Sequence, residues 1–172
     1  MSATEYICCR CSKLFPTCCR LSSGMEELCF PLSGQERSCI QNHLQSDEFF
    51  VAQENTRELT AGLFRLLPDY QRKIHLVFPP DTCHFRLETL SDGICFLLRQ
   101  NGCILPRNLR PLYCRLYPFW MHRGKLVHMV DTRCLAQRET TDVRDLLKLF
   151  GAEAATLQRN FDTMLQNLEL KD

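Results

Sequence analysis

Cysteine is the residue type with the clearest chemistry in this chain of 172 residues, which holds twelve of them. The stretch from Gly93 to Phe119, GICFLLRQNGCILPRNLRPLYCRLYPF, carries Cys95, Cys103 and Cys114 among prolines and arginines. A second knot, CCRCSKLFPTCC, carries Cys8, Cys9, Cys11, Cys18 and Cys19. Thiolates gathered in this way hold metal, or form disulfides when oxidised. The C-x2-C spacing of Cys8 and Cys11 lets two thiolates reach one tetrahedral ion, and iron–sulfur clusters use the same spacing. The pair gains weight from Cys18 and Cys19 close by and from three more cysteines in the Pro-rich stretch. Cys9 is an alternative to Cys8, in a C-x-C arrangement with Cys11.

The vicinal pair Cys18-Cys19 adds a constraint. Neighbouring side chains of an extended segment point to opposite faces. The two thiols then serve two different metals, or one ligates and the other packs, and a multinuclear site relieves the conflict. Charge also bears on the site. Between Cys95 and Cys134 stand seven Lys or Arg residues and one acid, Asp131. Arg107, Arg110, Arg115 and Arg133 lie nearest the cysteines in sequence. Four thiolates around zinc, or around an oxidised four-iron cluster, carry a net charge of about −2. Guanidinium groups offset such charge and donate hydrogen bonds to sulfur, a role expected of Arg110 and Arg115. A solvated basic face, or a site for an anionic substrate or nucleic acid, would use the same arginines. A nucleic-acid site calls for aromatics among such charges; Tyr113, Tyr117, Phe119 and Trp120 are present, packing around the site explains them equally well, and the net charge of +1 gives no overall pull toward nucleic acid.

Composition narrows the setting. The apolar fraction of 45% supports an ordinary core. The start, MSATEYICCR, has no basic region followed by an apolar run, so no secretory signal is expected. No stretch approaches the roughly 20 apolar residues that cross a bilayer. These features place the chain in the cytoplasm, away from membranes. Thiols stay reduced there, and clustered cysteines are metal ligands or redox groups more often than structural disulfides.

The elements that must position these thiols can be read in outline. Ser33, with Glu36 three residues later, starts a helix reaching about Leu44. Thr56 to Leu67 forms a second, with Leu59, Leu63, Leu66 and Leu67 on one stripe and Pro68 as its stop. Ile74 to Phe78 and Cys83 to Leu87 read as strands around Pro79-Pro80, and Lys125 to Val130 as a strand after the turn at Arg123-Gly124. From about Thr141 to Leu170 the pattern is helical, with Leu146, Phe150, Leu157, Phe161, Leu165 and Leu168 in register and a break at Gly151. These C-terminal helices pack on the core or offer a face to a protein partner. The expected fold is α+β: helices around a short antiparallel sheet, Pro-rich loops stitched by metal, and a C-terminal helical segment. Residues 1–135 form a cysteine-cluster metal-binding domain, and 136–172 a helical extension packed on the same domain.

The residues also carry a family likeness. Cys95-Phe96-Leu97, Cys103-Ile104, Arg110-Pro111 and Cys114-Arg115-Leu116-Tyr117-Pro118-Phe119, with the helix start Leu32-Ser33-Gly34-Gln35-Glu36, resemble the YkgJ-type cysteine-cluster family, described as a zinc- or iron-chelating domain. The resemblance covers roughly residues 6 to 135. It implies eight metal ligands: Cys8, Cys11, Cys18, Cys19, Cys95, Cys103, Cys114 and Cys134. Two departures stand out. Six residues separate Cys11 from Cys18 where the family has two, so Lys13-Leu14-Phe15-Pro16 reads as an insertion. Cys134 is followed by Leu135-Ala136 where the family often has Pro-Gly. Cys9, Cys29, Cys39 and Cys83 fall outside the set and read as buried free cysteines. The histidines at 43, 75, 84, 122 and 128 read as satisfied or surface side chains.

The function expected is that of a metal-binding protein holding an iron–sulfur cluster, the four-iron form favoured, or zinc. Eight thiolates exceed the needs of one zinc ion, although two zinc sites would also use eight. The family is similar to part of the flagellin lysine N-methylase, which implies a second reading, a cluster-dependent enzyme of protein methylation. No glycine-rich nucleotide motif supports it, and Gly24, Gly34 and Gly62 are isolated. A third reading is an interaction module stabilised by zinc.

Overall fold

Helix starts set the frame. In this computed structural model, which describes residues 6–14, 17–22, 25 and 29–171, Ser33 caps helix α2 (Gly34–Leu44). Its Oγ accepts from the Glu36 N–H, and Glu36 Oε2 accepts from the Ser33 N–H at 2.9 Å, a reciprocal box that satisfies two amides. Glu36 Oε1 also accepts the Leu112 N–H at 2.7 Å. Leu112 opens the short helix α5 (Leu112–Leu116), so the carboxylate of Glu36 ties its own helix start to one that begins 76 residues after it. Of the chain before α2, α1 (Ile7–Ser12) is the one helix among the described residues. Phe15 and Pro16 of the inserted loop lie outside those residues.

Thr56 caps α3 (Arg57–Leu66), accepting from the Leu59 N–H at 3.1 Å. A 3-10 turn at Pro68–Tyr70 leads into α4 (Gln71–Val77). The strand expected over Ile74 to Phe78 is therefore helical. Ile74 and Phe78 stand four residues apart and are both buried, whereas Leu76 between them is 69% exposed, the pattern of a helix face rather than a strand.

Three two-stranded antiparallel sheets occur among the described residues, where one was expected. β1 (Phe50–Glu54), absent from the sequence reading, pairs with β2 (Cys83–Leu87) in the register Phe50 to Leu87 through Glu54 to Cys83. β3 (Leu98–Arg99) pairs with β4 (Gly102–Cys103). β5 (Phe119–His122) pairs with β6 (Lys125–His128) across Arg123-Gly124. Both turn residues have positive φ, which matches the right-handed twist of the flanking strands.

After α6 (Leu135–Glu139), Asp142 caps α7 (Val143–Phe150), and Gly151 ends it in the left-handed conformation before α8 (Ala154–Asn167). Leu146, Phe150, Leu157, Phe161, Leu165 and Leu168 are all buried in one cluster with Ile7, Leu59, Leu63, Leu112 and Phe119. The chain's own core thus takes up this apolar stripe. α8 packs on α5 and β5, and Trp120 meets Phe161 edge-on while donating to the Leu66 carbonyl. A smaller cluster of Ile40, Phe49, Leu97 and Leu105 lies beneath Cys95 and Cys103. The architecture is α+β, eight α-helices with the three small sheets among the described residues.

Two measurements test this frame. Leu165→Ala should cost roughly 2–5 kcal/mol and move a single unfolding transition, because α8 shares the main core; a curve in which one of two steps moves alone would separate the C-terminal helices from the rest. The second concerns His84, which is 5% exposed. Its Nδ1–H donates to Asn55 Oδ1 at 2.8 Å, and Nε2 has no partner. Burial, with Arg86 nearby, lowers its pKa from 6.5 to about 4. The unfolded chain therefore takes up this proton first, so stability should fall as pH drops from about 6.5 to about 4. The slope should be shallower in His84→Gln; equal slopes in urea titrations of the two proteins would discard the assignment.

Candidate functional site

Short, irregular elements carry the cysteines, and contacts distant in sequence aim them. Cys8 and Cys11 stand on the single long turn of α1, three residues apart and hence on one face. The Ser12 hydroxyl donates to the Cys9 carbonyl at 2.8 Å and contacts the Gln100 carbonyl at 3.1 Å, which docks α1 on the β3–β4 hairpin. A Cβ on Gly102 would lie 3.3 Å from Cys9 Sγ. Cys9 packs there against the hairpin and does not line the cavity that Cys8 and Cys11 line.

Residues 19–21 run antiparallel to 93–95. The Leu21 N–H donates to the Gly93 carbonyl and the Cys95 N–H to the Cys19 carbonyl, both at 2.9 Å, with Arg20 bridged to Ile94. Gly93 has φ +82°, and a Cβ there would sit 2.2 Å from the Leu21 carbonyl oxygen, so only glycine fits this approach. Cys103 follows on β4, and Cys114 sits within α5, whose first amide is held by Glu36. Cys134 is the N-cap residue of α6.

The segment before Cys134 is fixed by Asp131. Its carboxylate accepts from the Arg133 N–H at 2.8 Å, from Arg133 Nε and Nη2 at 2.9 Å each, and from the Tyr117 hydroxyl. Arg133 Nη1 donates onward to the Arg20 carbonyl at 2.6 Å. The arginine thereby bridges the loop before α6 to the N-terminal knot.

Cys8, Cys11, Cys18, Cys19, Cys95, Cys103, Cys114 and Cys134 all line one cavity of about 260 Å³. Cys29 is a ninth lining cysteine that sequence reasoning left aside, because no spacing ties it to the others. None of the twelve cysteines is in a disulfide, and no histidine lines the cavity. Among the described residues, no three His, Cys, Asp or Glu side chains already converge on one ion.

Other expectations change in detail. Cys18 and Cys19 occupy a turn rather than an extended segment, so both reach the same cavity. Arg110 lines the cavity and donates from Nε to the Leu105 carbonyl at 3.1 Å. Arg115 does not line it, because its guanidinium turns to Asn160 Oδ1 at 3.0 Å on α8. Arg133 lines the cavity in its stead. Cys39 and Cys83 are exposed rather than buried.

The cavity opposes charge on most of its thiols. Burial pushes Cys8 and Cys95 up to about 12 and raises Cys103, Cys114 and Cys134, with neighbouring thiols adding to each effect. Cys19 and Cys114 are exposed and line the cavity. Cys19 is the exception to the upward trend. A hydrogen bond from Cys18 lowers it to about 7 against the effect of burial, with Arg110, Thr17 and Arg133 assisting, and Cys18 is raised in turn. Cys8, Cys18, Cys95, Cys103, Cys114 and Cys134 are thus held toward the neutral form, with Cys19 the one thiol favoured as thiolate.

No protein-family model, curated protein or solved structure matches the chain.

The glycines allow a direct test of the closure between residues 19–21 and 93–95. Gly93→Ala should destabilise by more than the roughly 1–3 kcal/mol of backbone strain alone. Gly124→Ala also has positive φ but faces open space, so it should cost the strain only. Equal losses for the two variants in chemical denaturation would show that the Leu21–Gly93 approach contributes nothing.

Proposed function

We propose that the chain is a metalloprotein whose cysteine-lined cavity holds an iron–sulfur cluster, with the four-iron form favoured, or zinc. The observation that carries this reading is the convergence of nine thiols, from segments as far apart as Cys8 and Cys134, on one cavity. A core cysteine packed for its own sake needs no such company. The donor chemistry fits. All the candidate donors are sulfur, as iron–sulfur clusters and tetrathiolate zinc sites require. Their number exceeds one zinc ion's four, which favours a polynuclear occupant. The resemblance of Gly93 to Phe119 to YkgJ-type chains supports the same reading.

Bound metal supplies a cluster's one-electron chemistry or zinc's cross-link between segments. The chain's own residues do the rest. These cysteines would hold the metal as thiolates, since a coordinated thiol is deprotonated. The cysteine side chains would rotate to bring the sulfurs together, because no three converge among the described residues. Arg110 and Arg133 face the cavity and offset the charge of the assembled thiolates. Asp131 holds Arg133 in place while cancelling part of its charge. Ile7, Leu97 and Phe150 form part of an apolar wall that limits water. No helix among the described residues is long and apolar enough to cross a membrane. We place the protein in the cytoplasm, where free thiols persist.

The test is elemental. Anaerobically purified protein should contain iron and acid-labile sulfide in similar amounts and absorb in the visible. Stoichiometric zinc without colour would exchange the cluster for zinc and keep the metal reading. A chain that takes up neither metal, as isolated or after anaerobic reconstitution, would end it.

A further inference from the structure

We propose that the cavity comprises two adjacent four-thiol metal sites joined at the Cys18–Cys19 peptide: Cys8, Cys11, Cys18 and Cys134 in one, Cys19, Cys95, Cys103 and Cys114 in the other. The proposal rests on the metal-binding reading above and adds the number of centres and the ligands of each.

Backbone and side-chain geometry draw the division. Cys8 and Cys11 share one turn of α1, and α1 packs against α6, whose N-cap is Cys134. Cys11 Sγ lies 4.0 Å from the Arg133 carbonyl oxygen, which is bonded to the carbon joined to the Cys134 nitrogen. Cys11 Sγ also reaches Thr17 Oγ1 at 3.6 Å, directly before Cys18. Cys11 thus faces the segments that carry Cys18 and Cys134, with Cys8 on the same turn of α1. On the other side, the Cys95 N–H donates to the Cys19 carbonyl. Cys95 and Cys103 pack on the same small cluster around Leu97 and Leu105. The 3-10 turn at Arg107–Leu109 then leads to α5 and Cys114.

Arg110 lines the same cavity and is the cation placed to serve both groups, and Cys29, the ninth lining cysteine, is left out of both.

Each group has the donor set of a soft or borderline tetrahedral cation. For cadmium, used as a probe, one divalent ion and four thiols give a tetrathiolate of charge −2 and four released protons. Because the groups are adjacent, the second ion enters beside a site already carrying that charge, and Arg110 moderates the repulsion.

Anaerobic titration of the metal-free chain with Cd²⁺, followed by thiolate-to-cadmium ultraviolet absorption, should break at two equivalents, and ¹¹³Cd NMR should show two resonances in the tetrathiolate range. Cys8→Ser/Cys11→Ser and Cys103→Ser/Cys114→Ser should each keep one equivalent, and Cys29→Ser should keep two. A break at one equivalent in the unaltered chain would overturn the two-site inference and leave the metal reading standing. No binding of Cd²⁺, iron or zinc would overturn both. A double variant that loses both equivalents while keeping its helical circular dichroism would return the cavity to a single centre. Should a double variant fail to fold, the resonance count of the unaltered chain decides, and a single resonance counts against the proposal.

Discussion

Two thiolates about 5 Å apart repel by roughly 3 kcal/mol at an effective dielectric of about 20. Around the cavity burial opposes charge on Cys8, Cys95, Cys103, Cys114 and Cys134, and neighbouring thiols add to it, while Cys19 is shifted the other way. A folded chain tolerates such crowding because neutral thiols pack like small hydrophobic groups. The same crowding makes the cavity a poor place for anions and a good one for cations. Much else in the structure, from Arg110 over the thiols to the apolar wall, follows from managing that imbalance.

Two carboxylates do much of the scaffolding. Glu36 closes the capping box of α2 and accepts the first amide of α5, so the position of Cys114 depends on a helix start far away in sequence. Asp131 does the same for the other flank, gathering Arg133 and Tyr117 and so setting the approach to α6 and Cys134. The helices involved are too short to persist alone. Fixed partners at their ends and burial of one face substitute for length. The two C-terminal helices contribute as buttress: α8 backs α5, and Arg115 spends its guanidinium on Asn160 there.

What could be read in the sequence was mostly local. Ser33 with Glu36, Thr56, and the Gly151 break announce helix ends through bonds between residues a few positions apart. Leu146 to Leu168 announce a buried stripe by their period. The resemblance to YkgJ-type chains implied a set of eight cysteines, and all eight line the cavity. Long-range geometry was not. Nothing in the sequence says that Cys29 faces the same space, or that Arg115 turns out while Arg133 turns in. Ile74 to Phe78 is five residues long, and a run so short fits a strand or a helix face equally well. α1, α5 and α6 hold five or six residues each, below the length at which a helical period can be recognised. β1 was missed because its pairing with β2 is non-local, and residue types mark only half of such a ladder.

The pairing of residues 19–21 with 93–95 has a consequence for the order of events during synthesis. At about 5–20 residues per second, the N-terminal knot leaves the ribosome several seconds before Cys95 exists, and longer still before Cys134. Through that interval its five thiols have neither the strand that covers them nor the residues that complete the cavity. The nascent chain must pass through a stage in which its most reactive groups are its least protected. The final architecture forms only when the last of the three cysteine-bearing segments arrives.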